Sequence, residues 1–288
     1  MAKIEPSIKS ALTQYAIAHR GIFSYSQLAQ YQNRFHLSGS ELEAALLEVA
    51  AEFATPPISQ FYVGAIAWDD KSQQAFLGAN LEFSHQALSL VVHAEQAAIN
   101  NAWLNGATEI SKMTINAAPC GFCRQFMNEL STAKELEILL PTGKTSLCDL
   151  LPTSFGPDDL GNSEKLFSQA QHLAANETSP ASISAALYQH YLHAYCPYTH
   201  NQSAVEIKLD TGECFYGRYA ENAAYNPSLS PLQSALSQLA MSGKVLSEVN
   251  VVGITLLEKQ GSANQLQVSL AVLKAYNAEH LLTHIEIE

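Results

Sequence analysis

The chain has 288 residues, which exceeds the usual length of one domain, so we expect two domains. Hydrophobic residues make up 47% of the composition and charged residues 15%, which excludes a disordered chain and is sufficient for buried cores. The formal net charge of -12 argues against a protein that neutralises a nucleic-acid backbone with Lys and Arg, and it is easier to reconcile with a small uncharged substrate.

The N-terminal segment, residues 1–52, is predicted to be helical. Helical periodicity covers "SIKSALTQYAIAHRG" and "SGSELEAALLEVAAEFATPP", and a capping box from Ser40 to Glu43 is expected to open the second helix. The start "MAKIEPSIKS" lacks the apolar core of a secretory signal, and the chain has five cysteines, an odd number. We therefore expect a cytoplasmic location. No apolar run approaches the roughly 18–20 residues that span a bilayer, so no membrane partner is expected.

Residues 53–178 are predicted to form an α/β domain. The stretches "FYVGAIAWDD" and "AFLGANLEF" predict a hairpin, and a helix follows from about Val91 to a C-capping Gly106. A strand "KMTINAA", a helix opened by "PCGFC" and a strand "ELEILLP" come next. This alternation indicates layers of helices and strands. The stretch from Leu151 to Pro180 is rich in Pro, Gly, Asp, Asn and Ser and is interpreted mostly as a connection.

Residues 179–288 repeat the same order of elements. After a helix in "ASISAALYQHYLHAYC", the hairpin returns in "SAVEIKLDTGECFYGRYAEN", the helix in "PLQSALSQLAMSG" and the later elements in "VNVVGITLL", "QLQVSLAVLKAYN" and "LLTHIEI". With one gap, His93 and Glu95 align with Pro231 and Gln233, and no cysteine pair returns. We therefore expect the fold twice, with the chemistry in the first copy alone.

The pair Cys120 and Cys123 lies in the predicted first turn of a helix, where the helix dipole and free N–H groups favour thiolates. Two thiolates are compatible with a redox centre or with part of a metal site. His93 supplies a third ligand if the two helix N-termini face each other. Three protein ligands leave the fourth tetrahedral position open, which is the pattern of a catalytic zinc site.

Glu95 follows His93 by two residues, so its carboxylate can reach a water at such a zinc without binding the metal. Zinc lowers the pKa of a bound water to about 7. Glu95 would then shuttle protons between that water and a substrate, which typically accelerates a reaction by about 10²–10⁴.

The motifs "HAE" and "PCGFC" resemble the signature of the zinc-dependent cytidine and deoxycytidylate deaminase superfamily, which is known as H-x-E…P-C-x-x-C. The resemblance implies a three-layer α-β-α cytidine-deaminase-like fold, present as a catalytic copy and a degenerate zinc-free copy. It also implies one zinc per chain, with His93, Cys120 and Cys123 as ligands and Glu95 as the catalytic proton carrier. The same signature occurs in deaminases of tRNA adenosine, nucleotides, guanine and polynucleotides, so the substrate needs further evidence.

The stretches "SQFYVGAIAWDD" and "GANLEFSHQALSLVVHAEQ" are similar to deaminases of free nucleosides. The similarity implies that Asn80 and Glu82 bind the ribose hydroxyls, and a carboxylate there would repel a phosphate. It also implies that Phe61 lines the base pocket and that Ala94 leaves room for the pyrimidine. Phe155 would reach in from a partner subunit.

Over its whole length the chain resembles the long, two-domain, homodimeric bacterial cytidine deaminases. This implies hydrolytic deamination of cytidine and 2'-deoxycytidine to uridine and 2'-deoxyuridine, with release of ammonia, in pyrimidine salvage. The expected partners are a nucleoside substrate and a second copy of the chain, and no nucleic acid.

Several alternatives remain open on the sequence. The enzyme could deaminate another base or nucleotide, or the zinc could stabilise a non-catalytic interaction protein, although a structural site usually has four protein ligands. Glu221 occupies a place in the second copy similar to that of Glu82, so Glu82 could have a structural role. His190, His193 and Cys196 have helical spacing, but we interpret them as a helix surface or a dimer contact. Arg124 and Gln125 could either support the thiolates or lie on a helix surface.

Overall fold

The structure is a computed structural model that describes residues 4–168 and 179–287. Its N-terminal segment contains helices α1 (Pro6–Ala18), α2 (Tyr25–Phe35) and α3 (Gly39–Glu52), and one short strand, β1 (Ile22–Ser24). The predicted capping box from Ser40 to Glu43 is wrong. The box lies two residues earlier, because the Ser38 hydroxyl accepts from the N–H of Glu41 at 3.3 Å and the Glu41 carboxylate accepts from the N–H of Ser38 at 2.8 Å.

The first copy is built on a sheet that also includes β1. The other elements of this copy are β2 (Gly64–Asp69), β3 (Gln74–Ala79), α4 (Ala94–Leu104), β4 (Lys112–Ile115), α5 (Gly121–Met127), β5 (Glu137–Leu140), β6 (Gly143–Ser146) and α6 (Leu147–Leu150). The strand order is β1-β3-β2-β4-β5-β6, with β4 and β5 parallel and the other neighbours antiparallel.

The side chains of β2 point alternately to two hydrophobic cores, which explains the three layers of this copy. Ile66 and Trp68 belong to the core formed with the N-terminal helices, whereas Ala65 and Ala67 belong to the core that contains α4 and α5. Successive residues of a strand point to opposite faces, so one strand serves both cores. The prediction of an α-β-α fold with a helical N-terminus is therefore confirmed.

The second copy repeats this arrangement. Its elements are α7 (Ala185–Leu192), β7 (Ser203–Leu209), β8 (Cys214–Arg218), α8 (Pro231–Met241), β9 (Val251–Lys259), α9 (Leu266–Lys274) and β10 (Leu282–Ile287). The strand order is β10-β9-β7-β8, in which β9 and β10 are parallel. Ala204 and Leu257 pack with α7, whereas Val205 and Ile207 face the core that contains α8 and α9.

Two glycines align the copies residue by residue. A β-carbon on Gly78 would lie 2.1 Å from the nitrogen of Ala98 in α4, and one on Gly217 would lie 2.2 Å from the nitrogen of Ala235 in α8. Only glycine permits so close an approach of strand and helix. Since Ala98 and Ala235 are equivalent, His93 is equivalent to Ser230, and Glu95 to Leu232.

This alignment corrects the one obtained from the sequence, which placed Pro231 and Gln233 opposite His93 and Glu95. The positions of the helix N-termini support the alignment of His93 with Ser230, because these residues are the N-caps of α4 and α8. Pro231 occupies the first helical position, where proline is favoured.

Helices α4 and α8 pack against each other and join the two copies. Asn100 donates to the Ser237 hydroxyl at 2.8 Å and to the carbonyl of Ser234 at 3.1 Å, while the Ser234 hydroxyl donates to the Asn100 oxygen at 2.6 Å. All three side chains are buried. One hydrophobic core includes residues of both copies around this network.

Arg218 of the second copy contacts the C-terminal turn of α4. Its guanidinium lies 4.1 Å from the centroid of the Trp103 ring and donates to the Trp103 carbonyl. A cation near helix C-terminal carbonyls is favourable.

The connection predicted from Leu151 to Pro180 includes residues 169–178, which lie outside the described residues. Its described part contains a short 3₁₀ turn at Pro157–Leu160. The predicted domain boundary between residues 178 and 179 stays a prediction. Within the described ranges, every helix is too short or too polar to cross a bilayer.

Candidate active site

The N-termini of α4 and α5 bring three metal-ligating side chains together. His93 is the N-cap of α4 and Cys120 is the N-cap of α5. The Cys120 sulfur lies 3.7 Å from His93 Nδ1 and 3.5 Å from the Cys123 sulfur. The ligand atoms of His93, Cys120 and Cys123 all lie within 4.8 Å of one another.

These distances fit a tetrahedral zinc ion. Zinc binds thiolate at about 2.3 Å and imidazole at about 2.0–2.1 Å, so tetrahedral angles place two sulfurs about 3.8 Å apart and a sulfur and a nitrogen about 3.6 Å apart. Both observed separations are within a few tenths of an ångström of these values. The three residues could therefore hold zinc with one coordination position open.

Electrostatics at the cluster also favour a cation. The hydrogen bond from Cys123 is the largest of the influences that lower the pKa of Cys120 to about 3, so Cys120 is a thiolate at neutral pH. The bond to Cys120, followed by burial, raises the pKa of the Cys123 thiol. Burial opposes the charged form of His93, but the Cys120 sulfur and two nearby carboxylates outweigh it and raise the pKa of His93. A bound dication releases such protons from its ligands.

Glu95 lies beside this cluster, in the first turn of α4. Its side chain is only 4% exposed and lies within hydrogen-bonding reach of the Cys123 thiol. Burial raises the pKa of Glu95. A carboxyl group with a raised pKa can both accept and donate a proton closer to neutral pH than an ordinary glutamate.

A cavity of about 300 Å³ opens onto these residues. Four of the five predicted substrate-binding residues, Phe61, Asn80, Glu82 and Ala94, line it together with His93, Glu95 and Cys120. The cavity also includes residues that the sequence did not identify as binding residues, namely Ser59, Val63, Val91, Val92 and Ala117.

Asn80 and Glu82 fix the loop that forms one wall of the cavity. Asn80 accepts from the N–H of Val63 at 2.9 Å and donates to the carbonyl of Phe61 at 3.0 Å. Glu82 accepts from the N–H groups of Ile58 and Ser59 at 2.8 and 2.9 Å, and from the Ser59 hydroxyl at 2.5 Å. Burial alone would raise the pKa of Glu82, but these bonds lower it, so the cavity wall is negatively charged.

Glu221 makes the same three kinds of contact in the second copy. It accepts from the N–H groups of Tyr198 and Thr199 at 2.8 and 3.2 Å and from the Thr199 hydroxyl. The loop-fixing role of this glutamate therefore belongs to the fold, as the comparison of the sequences had suggested. The prediction that Glu82 also binds ribose stays a prediction.

In the second copy, a polar network occupies the position that corresponds to the cavity of the first copy. Asn201 follows His200, which has a positive φ of 58°, as Phe61 follows Gln60, with φ 54°. The Asn201 side chain accepts from the Gln265 amide at 3.0 Å and donates to the Glu258 carboxylate at 3.2 Å, and all three are buried. Gln265 is the N-cap of α9, so it occupies the place of Cys120.

Phe155 lies outside the cavity of its own chain. Its ring is 46% exposed, and its carbonyl accepts from Gln125 at 2.7 Å and from Asn128 at 3.0 Å. Arg124 donates to the carbonyls of Pro119 and Leu150, both at 2.9 Å, so it supports the turn before Cys120 rather than a sulfur. The prediction that Phe155 acts across a subunit interface stays a prediction.

The other cysteines and histidines do not form a second cluster in the part of the chain that the structure describes. Within residues 4–168 and 179–287, His93, Cys120 and Cys123 are the one group of three found that could hold a metal. His190 stacks on Tyr216, and His193 Nδ1 contacts the carbonyl of Gln189. All five cysteines lie in described ranges and are free.

Comparisons with known proteins indicate the same kind of domain in both halves of the chain. Residues 40–138 and residues 147–270 each match a family model described as the cytidine and deoxycytidylate deaminase zinc-binding region. Cytidine deaminase of Aliivibrio fischeri is 39% identical over 100% of this chain and 96% of that protein. Cytidine deaminase of Photobacterium profundum is 41% identical over 99% of each.

Among solved structures, cytidine deaminase from Mycobacterium tuberculosis is 33% identical, covers 37% of this chain and 89% of that chain, and has a TM-score of 0.34. The full-length relatives extend over the helical segment, the metal-binding copy and the second copy alike. The chain therefore belongs to the cytidine deaminase family of zinc-binding deaminases.

Proposed function

We propose that this protein is a zinc-dependent hydrolase that converts cytidine and 2'-deoxycytidine to uridine and 2'-deoxyuridine with release of ammonia. The observation that supports this best is the buried carboxyl of Glu95 in the same cavity as His93 and Cys120. In a protein that only binds zinc, a buried acid beside an incomplete ligand set would have no role, because burying a carboxyl group without an opposite charge costs stability. A cytoplasmic location and a role in pyrimidine salvage are part of the same proposal.

In the mechanism, Glu95 moves the protons. His93, Cys120 and Cys123 would hold a zinc ion, which would act as a Lewis acid and lower the pKa of a water molecule to about 7. Glu95 takes a proton from the attacking water and delivers it to N3 of the cytosine ring, while the water oxygen adds to C4. Glu95 then takes the second proton of that oxygen and protonates the amino group, which leaves as ammonia.

The remaining cavity residues orient the nucleoside. Asn80 and Glu82 offer an amide and a carboxylate to the ribose hydroxyls, and the negative charge of Glu82 disfavours a 5'-phosphate. Phe61 supplies an aromatic face for the base, and the small side chain of Ala94 permits close approach of the pyrimidine. A cavity of about 300 Å³ lies at the lower end of the range usual for small-molecule sites.

We also propose that the enzyme is a homodimer in which Phe155 of the partner subunit completes the cavity. Phe61 is 59% exposed in the single chain, which is unusual for a ring that lines a binding site. Other large apolar side chains are exposed, namely Ile58, Tyr62, Leu88, Leu160 and Tyr225. Ile58, Phe61 and Tyr62 lie in one loop, and neighbouring exposed apolar side chains of this kind are typical of protein interfaces. Sedimentation of a monomer at micromolar concentration would contradict this part.

A substrate panel tests the proposal. The purified protein is offered cytidine, deoxycytidine, cytosine, the cytidine monophosphates and adenosine, while ultraviolet absorbance follows loss of the amino group and bound zinc is measured. We expect turnover of the two cytosine nucleosides and about one zinc per chain. Preference for monophosphates or for another base would support the alternative, a zinc deaminase with a different substrate, and would remove the ribose role of Glu82.

A further inference from the structure

Two buried glutamines link the copies at the N-termini of α4 and α8. Gln233 accepts from the N–H of Ser230 at 3.2 Å and donates through Nε2 to the carbonyl of Leu90 in the first copy. Gln96 accepts from the N–H of His93 at 3.2 Å and donates to the carbonyl of Pro227 in the second copy at 2.8 Å. Each glutamine therefore caps its own helix and fixes the loop before the other helix.

The loop that Gln233 reaches lies directly before the metal-binding histidine. It comprises residues 88–92, of which Val91 and Val92 line the cavity. Its other backbone anchor is the pair of bonds between Leu81 and Val92, each 2.9 Å. Leu88 is exposed, whereas Leu90 is partly buried and packs against the main hydrophobic core. The bond from Gln233 to the Leu90 carbonyl fixes the middle of the loop from the zinc-free copy.

We propose that Gln233 is a positioning residue of the deaminase site. It acts through the carbonyl of Leu90 and fixes the 88–92 loop, and thereby His93, in the position that metal binding requires. This inference rests on the proposed function, but it concerns a residue of the copy that has no zinc ligands. It assigns the second copy a role in the active site of the same chain.

The chemistry of the contact explains why the residue is a glutamine. One side chain must accept from the Ser230 N–H and donate to the Leu90 carbonyl at the same time, and a glutamate of the same length offers acceptors alone when ionised. Gln233→Glu therefore keeps the helix cap and removes the bond to the catalytic copy. In Gln233→Met, the methionine side chain has a shape similar to that of glutamine but makes neither the bond to the Ser230 N–H nor the bond to the Leu90 carbonyl.

Gln238→Glu is the matched control. Gln238 lies on the same helix and also donates to the first copy, through Nε2 to the Asn101 side chain at 3.3 Å. That contact is far along α4 from His93. The control thus makes the same chemical change between the same two helices without touching the 88–92 loop.

The experiment measures three quantities on the full-length proteins loaded with zinc: the rate at which a chelator removes zinc from the folded protein, kcat and KM for cytidine, and the midpoint of thermal unfolding. Support around a metal ligand is typically worth about 10–100-fold in affinity or activity, and Gln233 acts through Leu90, which precedes His93 by three positions, so we expect the lower end, about tenfold. Both Gln233 variants should lose zinc about tenfold faster and have about tenfold lower kcat/KM, mainly through kcat. Gln238→Glu should match the wild type in both.

Unchanged zinc release and kcat/KM in both Gln233 variants would overturn the inference, whatever happens to the unfolding midpoint. Equal losses in Gln238→Glu would also overturn it, because the effect would then be a general loosening of the helix pair. If the wild type does not deaminate cytidine, the proposed function fails separately, and the zinc-release rates still decide the role of Gln233.

Discussion

Glu95 and Leu232 occupy equivalent positions in α4 and α8, and both are buried. The leucine is what the packing of this helix favours, whereas the glutamate is a buried carboxyl with a raised pKa. The same contrast holds at the N-cap. Ser230 accepts from the N–H of Gln233 at 3.3 Å, as an ordinary N-cap does, whereas the His93 ring lies against the Cys120 sulfur. The metal-binding copy therefore departs from the packing and capping preferences of this helix at His93 and Glu95, the residues that we propose for the chemistry.

Conversely, what the two copies share is required by the fold. The glycines at the strand–helix contacts, the loop-fixing glutamates Glu82 and Glu221, and the glutamines at the third helical position are present in both. The comparison thus separates residues that both copies share from the residues that we propose for the chemistry.

The largest effect should come from removing a residue that the second copy lacks altogether. Cys123→Ala takes away one of two thiolates, so zinc should fall from about one per chain to near zero, and activity with it. Cys148→Ala, which changes an exposed cysteine, should keep both. Metal analysis that finds two zinc ions per wild-type chain would contradict the description of the second copy as zinc-free.

Replacing Glu95 should separate chemistry from folding. Glu95→Gln should retain zinc and lose about 10²–10⁴ in kcat, because the amide cannot carry protons. Glu95→Leu, which copies Leu232, should be equally inactive but more stable by about 1–3 kcal/mol in urea unfolding of the metal-depleted proteins. A Glu95→Leu protein that is less stable than the wild type would show that the two helix environments are not equivalent.

A smaller effect should distinguish the two loop-fixing glutamates. Glu82→Gln and Glu221→Gln each weaken three hydrogen bonds to a loop, so both should lower the free energy of unfolding by about 1–3 kcal/mol. Only Glu82→Gln should also raise KM for cytidine. We expect a rise of about tenfold, because the substitution removes one charged contact to the substrate. Equal KM values in the two variants would leave Glu82 with its structural role alone.

The smallest expected effect is an acid sensitivity located in the second copy. Burial, with a lesser effect from the charge of Arg218, lowers the pKa of His190 to about 3. Between pH 3 and an unfolded-state pKa of about 6.5, the unfolded chain binds one more proton, so stability is complete above about pH 6.5 and falls as the pH decreases. From pH 7.5 to pH 5 this amounts to at most about 2 kcal/mol.

His190→Phe keeps the stacking on Tyr216 and removes the titration, so its loss of stability over that interval should be smaller than that of the wild type. Urea unfolding at the two pH values measures the difference, with His280→Phe as an exposed control. If both variants match the wild type in their pH dependence, His190 is not responsible.

Most of the fold was predictable from periodicity and caps, because the helices and strands of both copies recur in the same order. The exceptions have local causes. The strand at Ile22–Ser24 has three residues, too few for a periodic pattern, and it exists because it pairs with β3. The helix at Tyr25–Phe35 was not identified separately, although Tyr25, Leu28, Tyr31 and Phe35 recur every three or four residues and pack against the core of the N-terminal helices.

The residues of the candidate site were predictable where they belong to short sequence motifs. His93, Glu95, Cys120 and Cys123 lie in two such motifs, and the structure brings them into one cluster or cavity. Contacts that depend on distant segments were not predictable. The bond from Gln233 to Leu90 joins residues 143 positions apart, and a glutamine at a helix start has many ordinary explanations.

The buried network of Asn100, Ser234 and Ser237 has a consequence for cooperativity. Separating the copies would expose the apolar faces of α4 and α8 and leave these polar groups without their present partners. We therefore expect neither copy to stay folded without the other. Two domains in the sequence should therefore give one calorimetric transition, with the calorimetric enthalpy equal to the van't Hoff enthalpy.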